Sequence, residues 1–341
     1  MATPSQEPAG GAVRKAEHLR IAAEGGVEHA AGTGLDRIRL RHRALPERDL
    51  ASVSLETTLL GATLTAPLVV SAMTGGTAEA GEINRRLARA AAGAGIALVL
   101  GSGRRLLDDP ALLRTYRPDQ AGRPPLLLAN LGAAQLREPR GPEQAERLLE
   151  LLEADGLSVH LNPLQEAVQP EGQPDFSGVL AGIAACVARL APRPVVVKEV
   201  GFGLDPADVA ALRDAGVAAV DVAGAGGTNW ALIEGRRDPR AGAVAGAFAD
   251  WGLPTADALR LAVAAAPELP VIASGGVRDG VEVAKCLALG ASAVGLARPF
   301  LVAARADRAD AAVETVVRQL QIAVWAAGAG AAGELGAEQL A

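Results

Sequence analysis

The sequence contains few aromatic side chains, few cysteines and no long apolar run. Only 2% of its 341 residues are aromatic, whereas 50% are hydrophobic and 21% are charged, which is typical of a globular protein and not of a disordered one. The apolar runs are about 5 to 8 residues long, far short of the ~20 residues that span a bilayer. The length allows one large α/β domain or two ordinary ones.

The two cysteines, Cys186 and Cys286, lie in alanine-rich stretches of helical character, where we expect small buried hydrophobic side chains. Residues 1–15 contain no apolar segment of a signal peptide, and both observations fit a cytoplasmic location. A formal net charge of −6 and a pI near 5.4 argue against a general surface for nucleic acid or for anionic membranes.

Lysine is also scarce, because arginine fills almost every cationic position. Of the 33 Lys and Arg residues, only Lys15, Lys198 and Lys285 are lysines. The two residue types differ in shape, hydration and pKa range. Each remaining lysine is therefore a candidate for a role that arginine cannot fill.

From residue 66 onwards, short β-type runs alternate with Ala- and Leu-rich stretches of helical period, a pattern that predicts βα units around a parallel sheet. Helices are predicted at 82–95, 142–156 and 281–290, each ending on a glycine as helices commonly do. The eight predicted strands cover residues 67–73, 96–102, 125–132, 156–162, 194–201, 218–226, 270–276 and 292–299.

Eight strand–helix units over roughly 250 residues predict an α/β fold, a (β/α)8 TIM barrel with an N-terminal extension. The alternative, an open doubly wound sheet, would be expected to carry a GxGxxG turn after its first strand, and MTGGT (73–77) is not one. A long loop at 226–255 is expected to form a flap over the site. The predicted segments are a flexible N-terminus (1–12), an extension that closes the site (13–60), the barrel (61–326) and a flexible C-terminal tail (327–341).

Polar groups follow nearly every predicted strand, at the barrel end where active sites collect. The fourth strand ends in HLNPLQE (160–166), which combines an imidazole, two amides and a carboxylate that packing alone does not require. Lys198 ends the apolar fifth strand and is expected to point into the barrel mouth, the alternative being an ion pair with Glu199.

The loops after the last two strands predict a phosphate site. SGGVRDG (274–280) and GLARP (295–299) place backbone N–H groups beside the start of a helix, where glycine allows close approach and the helix dipole favours an anion. Thr228, within GAGGT, is a candidate hydroxyl for the same phosphate. The alternative is that both segments are simply tight turns.

Together the motifs resemble one family. RKAEHL, MTGGT, GSGR, HLNPLQE, VVKEVGFG, GAGGTNW, DWGLPT, SGGVRDG and GLARPFL occur in this order between residues 14 and 301. The set resembles the type 2 isopentenyl diphosphate isomerases, an FMN-dependent family, and the combination of RKAEHL with HLNPLQE is specific to it. That family usually reads GSQR where this chain reads GSGR, so Gly103 lacks an amide side chain.

The resemblance implies an FMN-binding barrel that interconverts isopentenyl and dimethylallyl diphosphate in isoprenoid biosynthesis. It implies reduced FMN acting as an acid/base group, Mg²⁺ on the substrate diphosphate and NADPH as the reductant of the flavin. It also implies a homo-oligomer, a tetramer or an octamer. We expect a small-molecule substrate and no nucleic-acid or membrane partner.

The resemblance also implies the site residues, carried over motif by motif. FMN would be held by Ala72, Met73, Thr74, Ser102, Asn130, Lys198 and Thr228, and its phosphate by Gly275, Gly276, Val277, Ala297 and Arg298. The substrate would be bound by Arg14, Lys15, His18, Ser102, Arg104, His160, Asn162 and Gln165, with Gln165, His160 and Lys198 as the catalytic set.

Within HLNPLQE, each side chain has an expected role. Glu166 supplies a hard carboxylate for Mg²⁺, and His160 and Asn162 bind the diphosphate or orient water on the metal. Gln165 is expected at the alkene end, where a neutral amide positions groups better than it donates protons. The alternative for Gln165 and Glu166 is that they merely cap the next helix.

Two other functions are alternatives. The 2-hydroxy-acid oxidases, also FMN barrels, need a histidine base near the seventh strand, whereas the histidines here are His18, His29, His42 and His160. A non-catalytic flavin- or phosphate-binding module would leave the polar cluster at 160–166 without a purpose.

Overall fold

A closed barrel of eight parallel strands forms the centre of the computed structural model, which describes residues 10–117 and 122–341. An antiparallel hairpin, β1 (Thr57–Leu59) and β2 (Ala62–Leu64), precedes it. The barrel strands are β3 (Leu68–Val70), β4 (Ala97–Val99), β5 (Leu127–Gly132), β6 (Gly156–Leu161), β7 (Val195–Glu199), β8 (Ala219–Asp221), β9 (Val271–Ala273) and β10 (Ala293–Leu296).

The barrel closes when the last strand pairs with the first. Val294 of β10 lies in parallel register with Leu68 of β3, and every other strand pairs with its neighbours in the sequence. Each of the eight strands falls inside its predicted range. The predicted (β/α)8 barrel is confirmed, and an open doubly wound sheet is excluded.

Fourteen α-helices are found in the described ranges. They are α1 (Gly10–Glu24), α2 (Ala78–Ala94), α3 (Arg104–Asp108), α4 (Ala133–Leu136), α5 (Gly141–Leu152), α6 (Pro163–Val168), α7 (Val179–Leu190), α8 (Pro206–Asp214), α9 (Trp230–Arg237), α10 (Pro239–Gly246), α11 (Thr255–Ala265), α12 (Gly280–Ala288), α13 (Arg298–Arg305) and α14 (Ala309–Ala326). Across those ranges, none is long and apolar enough to cross a membrane.

Local sequence explains several helix ends. The Thr77 side chain accepts a hydrogen bond from the backbone N–H of Ala80 at the start of α2, and Gly95 ends that helix in the left-handed conformation. The Asp279 side chain accepts from Val281 and Glu282 at the start of α12. These caps set where the barrel's outer helices begin and end.

The hydrophobic core has two layers. The larger layer packs the outward faces of the strands against the helices, and the smaller one fills the barrel interior. Leu59 and Leu64 of the β1–β2 hairpin are buried with the interior layer, so the hairpin closes the barrel at the end where the strands begin. The opposite end of the barrel, where the strands finish, remains available for a functional site.

The predicted flap at 226–255 is not a plain loop, because it contains α9 and α10. Asn229 accepts a hydrogen bond from Leu232 at the start of α9 and donates to the Phe248 carbonyl at 2.9 Å, which holds the segment together. Asp238 caps the next helix, α10, because its side chain accepts a hydrogen bond from the backbone N–H of Arg240.

The C-terminal segment 327–341 differs from the predicted flexible tail, because it packs on the extension. The backbone N–H of Arg41 donates to Gln339 at 2.8 Å, and Leu335 is buried. Its partners lie almost 300 residues earlier, so local composition gave no sign of this pairing. Of the predicted flexible N-terminus, residues 1–9 lie outside the described residues, and residues 10–12 begin α1.

Candidate active site

A cavity of about 610 Å³ lies at the ends of the barrel strands, beneath α1. All the residues predicted for FMN, substrate and metal line it. The structure therefore brings together in one place motifs that are spread from residue 14 to residue 298. The role of each residue stays a prediction at this point.

Glycines form one wall of the cavity, where the loops after β8 and β9 touch. Gly275 and Gly276 have φ angles of +102° and +74°, which other residues rarely adopt. A Cβ atom on Gly275 would overlap the Gly224 carbonyl oxygen, and one on Gly227 would lie 2.5 Å from the Gly276 nitrogen. The backbone is thus exposed to the cavity with no side chain in the way.

The start of α13 adjoins this glycine wall and is open to an anion. No side chain caps α13, whereas Asp279 already occupies the first N–H groups of α12. Uncapped N–H groups at a helix start attract a phosphate through hydrogen bonds and the helix dipole. The residues present therefore fit the FMN phosphate predicted here.

The Arg298 side chain contacts the N-terminal extension. Its Nε donates to the Ala22 carbonyl at 2.9 Å, and its Nη1 lies 3.4 Å from Glu28 Oε1. The guanidinium thus fastens the end of α1 to the barrel, and it is the backbone at Arg298 that begins α13.

The HLNPLQE motif folds into a hydrogen-bonded cluster at the end of β6. Asn162 Nδ2 donates to Gln165 Oε1 at 3.1 Å and to Glu166 Oε1 at 3.0 Å. The other oxygen of Glu166 accepts from the backbone N–H of Gln173 at 2.7 Å. These side chains hold one another and make no bond to the first N–H groups of α6, so the alternative of simple helix capping is wrong.

Glu234, which the sequence patterns did not single out, anchors this cluster from α9. Gln165 Nε2 donates to Glu234 Oε1 at 2.8 Å, and His18 Nε2 lies 2.9 Å from the same oxygen. Arg237 Nη1 lies 2.6 Å from Glu234 Oε2. Burial raises the pKa of this fully buried carboxyl, but the close contact with His18 and the hydrogen bonds from Gln165 and Arg237 outweigh burial and lower the pKa below its usual value.

Arg237 is a junction between three elements. Besides Glu234 in α9, its guanidinium lies 3.1 Å from Glu17 in α1 and 2.7 Å from Glu171 in the segment after α6. Arg14 Nη1 lies 3.7 Å from the same Glu171 carboxylate. One arginine therefore links the extension to the cluster at 160–166.

His160 is neutral in this setting. Burial lowers its pKa to about 3, and the nearby cations Lys198 and Lys15 add to the shift. Its Nδ1 lies 2.8 Å from Asn130 Oδ1, an acceptor, so Nδ1 carries the proton and Nε2 is left as an acceptor. His160 is thus suited to accept a hydrogen bond and not to act as a charged donor.

Lys198 reaches the barrel mouth, as its position predicts, but does not pair with the carboxylate of Glu199. Its Nζ donates to the Glu199 backbone oxygen at 2.5 Å. The Glu199 carboxylate accepts instead from the backbone N–H groups of Val200 and Gly201, each at 2.6 Å, and burial raises its pKa to about 7. Asp221 is the register partner of Lys198 in β8; burial raises the pKa of Asp221, and the charge of Lys198 opposes that rise.

The mouth of the cavity is cationic. Lys15 Nζ donates to the Ser102 backbone oxygen at 2.9 Å and to the hydroxyl of Tyr116 at 2.8 Å. Burial lowers the pKa of Lys15 to about 7, with further lowering by Arg105 and Arg14. Arg104 contributes a fourth cation, whose Nη1 lies 3.5 Å from the side-chain oxygen of Gln173.

Comparison with known proteins gives consistent matches. The family described as FMN-dependent dehydrogenase matches residues 16–106 and 180–341. The isopentenyl-diphosphate delta-isomerase of Xanthobacter autotrophicus is 50% identical over 335 residues, which covers 95% of each chain. The enzyme of the same name from Stutzerimonas stutzeri is 50% identical over 327 residues, which covers 92% of each chain.

The chain belongs to the isopentenyl-diphosphate delta-isomerase family. A relative of the same name from a Synechococcus strain, 48% identical over 310 residues, covers 90% of this chain and 88% of its own. The family description supports FMN as the cofactor.

Solved structures outside the isomerase family share the fold. A mandelate oxidase with (S)-mandelic acid superposes with a TM-score of 0.68 at 21% identity, covering 96% of this chain and 93% of its own. A flavocytochrome b2 with pyruvate also gives 0.68 at 18% identity, covering 96% and 82%. At such low identity, these matches show the fold alone.

The structure gives a reason for the one departure from the isomerase motifs. A Cβ atom on Gly103 would lie 2.5 Å from Cδ1 of the fully buried Leu148 in α5. The glycine thus lets α5 pack directly beneath the loop after β4. Ser102 and Arg104, on either side, keep their places on the cavity wall.

Proposed function

We propose that the protein interconverts isopentenyl and dimethylallyl diphosphate, with reduced FMN, Mg²⁺ and NADPH as the reductant of the flavin. One observation carries the proposal: α1 places Arg14, Lys15 and His18 on the same cavity as the HLNPLQE cluster. The cations of α1 would bind a diphosphate. They lie beside the 160–166 cluster, whose carboxylate suits a metal ion and whose amides suit the alkene end of the substrate. That combination matches the reaction named for the relatives.

FMN fits the barrel mouth through its phosphate and its ring. The glycine wall and the uncapped start of α13 would hold the phosphate, and Lys198 would lie beside the ring edge. Bound reduced FMN supplies an electron-rich surface and an acid/base group to a substrate that has no polarised bond at its alkene. Lys198, a compact cation at the end of a buried strand, favours negative charge on its neighbour.

Mg²⁺ fits at Glu166. Within residues 10–117 and 122–341 no group of three or more His, Cys, Asp or Glu side chains forms a metal cage. Mg²⁺ is commonly held by one or two carboxylates together with substrate phosphates and water. Asn162 and the backbone of Gln173 fix both oxygens of Glu166 on the cavity wall, where the carboxylate would meet Mg²⁺ on a bound diphosphate.

The isomerisation adds a proton to the terminal methylene and removes one from the carbon next to CH₂–O, with no net redox change. Positive charge develops in between, so the site must exclude water and stabilise that charge. Gln165 has its amide oxygen bonded to Asn162 and its nitrogen bonded to Glu234. With both ends held, Gln165 positions the alkene end, and the ionised Glu234 places negative charge close behind it.

We also propose that the protein serves isoprenoid biosynthesis in the cytoplasm as a homo-oligomer of four or eight subunits. The motif resemblance to the isomerase family supports these assignments. A 2-hydroxy-acid oxidase is disfavoured, because the loop after β9 is Ser274-Gly275-Gly276 and contains no histidine.

An anaerobic assay of the purified protein tests the proposal. Isopentenyl diphosphate, FMN, Mg²⁺ and NADPH are supplied, and dimethylallyl diphosphate is followed by NMR, with a control that lacks reductant. Glu166→Gln is expected to lower kcat/KM by about 100-fold, because it removes the charge that holds the metal. Glu150→Gln, an exposed change in α5, serves as the matched control. Product formation without reduced flavin, or equal activity of the two variants, would contradict the proposal.

A further inference from the structure

Tyr116, the only tyrosine in the sequence, joins the extension to the barrel. It follows a short 3-10 helix, Pro110–Thr115, and its side chain is fully buried. Its hydroxyl donates to the Ser102 backbone oxygen at 2.9 Å and accepts from Lys15 Nζ at 2.8 Å. No motif of the sequence contains this residue.

The ring of Tyr116 also packs on the loop after β3. A Cβ atom on Gly75 would overlap the ring, and Cζ would lie 2.6 Å from it, so glycine is required where the MTGGT loop crosses the tyrosine. The preceding residue, Thr115, accepts a hydrogen bond from the backbone N–H of Gly76 at 2.9 Å. Tyr116 therefore touches α1 and two of the loops that are predicted to hold FMN, namely those after β3 and β4.

The contacts of Lys15 orient its charge without neutralising it. Two of its three N–H groups are used, one by a backbone oxygen and one by the Tyr116 hydroxyl, and the side chain lines the cavity. Burial raises the pKa of Tyr116, so the hydroxyl stays uncharged. A carboxylate in the same place would pair with the ammonium, whereas a hydroxyl leaves its positive charge for a ligand.

We propose that Tyr116 is a positioning residue, which aims the Lys15 ammonium at a diphosphate in the cavity and ties that subsite to the loops after β3 and β4. The inference rests on the proposed function and deepens it. Because Tyr116 does not line the cavity, it would touch neither the reacting carbons nor the metal. It acts through Lys15.

The test is a double-mutant cycle read by binding. Inorganic pyrophosphate with Mg²⁺ is titrated calorimetrically into the FMN-loaded protein at pH 6, where Lys15 is protonated. Tyr116→Phe keeps the ring against Gly75 and removes only the hydroxyl, and we expect about tenfold weaker binding, as for loss of a hydrogen bond to a charged group. In a Lys15→Met background, the same substitution is expected to weaken binding less than twofold.

Thr115→Val is the matched control, since it removes the neighbouring buried hydroxyl, which contacts backbone only. Equal weakening by Tyr116→Phe in both lysine backgrounds, or by Thr115→Val, would overturn the inference. So would unchanged binding in Tyr116→Phe, or no pyrophosphate binding by the unsubstituted protein.

Turnover separates this inference from the proposed function. In the isomerase assay, Tyr116→Phe is expected to raise KM about tenfold and to leave kcat within twofold, because a binding contact far from the alkene acts on ground state and transition state alike. A fall in kcat at unchanged KM would refute the positioning role. If pyrophosphate binding shows the coupling but no dimethylallyl diphosphate forms, the proposed function fails and the Tyr116–Lys15 subsite stands.

Discussion

Replacing Lys15 with methionine is expected to stabilise the protein while impairing substrate binding. Lys15 is half-buried between Arg14 and Arg105, and its pKa falls from the ordinary 10.5 to about 7. A shift of that size corresponds to an upper limit of ~5 kcal/mol for holding the charge there. Because the side chain borders an open cavity, we expect about 2 kcal/mol. Methionine has a similar length, and Tyr116 keeps its bond to the Ser102 oxygen.

The stabilisation has a defined pH dependence. Below pH 7, Lys15 is protonated in both states, and the folded protein bears the whole cost of the buried charge. Between about pH 7 and 10.5, the folded state has lost this proton and the unfolded state has not, so the stability of the unsubstituted protein rises relative to the variant. The advantage of Lys15→Met is therefore largest at pH 6 and shrinks toward pH 9.

Two measurements check this prediction. Because the sequence has only three lysines, a ¹³C-lysine NMR spectrum is simple, and Lys15→Met assigns the Lys15 signal. Urea unfolding between pH 6 and 9 gives the stability difference, with Lys15→Arg as a control that keeps a charge which does not titrate in this range. A Lys15 signal that titrates near 10.5, or a methionine variant no more stable at pH 6, would refute the reasoning.

Two further substitutions test other parts of the structure. Gly75→Ala is expected to lower the free energy of unfolding by about 2 kcal/mol through overlap with Tyr116, and to weaken FMN binding, as measured by thermal unfolding and flavin fluorescence. Gly93→Ala in α2, where no atom is near, is expected instead to gain roughly 0.5–1 kcal/mol, so equal effects would count against the contact. Arg237→Gln leaves the fully buried Glu234 without its cation, and we expect a loss of about 3 kcal/mol and a lower kcat, which Arg237→Lys partly restores. An unchanged unfolding temperature and kcat in Arg237→Gln would show that the ion pairs of Arg237 do not stabilise the packing of α1 and α9 at the site.

The barrel was predictable because its signals are local. Each strand is a short apolar run with a helical stretch after it, and parallel strands in a barrel pair with their sequence neighbours. The two helices in 230–246 were not predicted, because Gly, Asp and Pro at their borders read as a loop in the sequence. The packed tail was missed for the opposite reason, since its partner segment at 39–54 is remote in the chain.

The site was predictable only where residues stand in motifs. The polar cluster at 160–166 and the glycines of the last loops follow strands directly, so strand order alone places them on the cavity. Tyr116, Glu234 and Arg237 stand in no motif, and they contact α1 and its cavity-lining residues only because α1 docks over the barrel end. For Glu234 a signal did exist, namely its i,i+3 spacing to Arg237 on one helix face.

The closure of the barrel by its first and last strands has a consequence for synthesis. β3 emerges from the ribosome about 220 residues before β10, which at 5–20 residues per second is a delay of roughly 10 to 45 seconds. During that time the free edge of β3 has no partner on one side. α1 also lacks its contact with Arg298 during that time, because Arg298 follows β10 in the chain. A chain cut before residue 293 would therefore expose two strand edges and aggregate, and it would not form a smaller barrel.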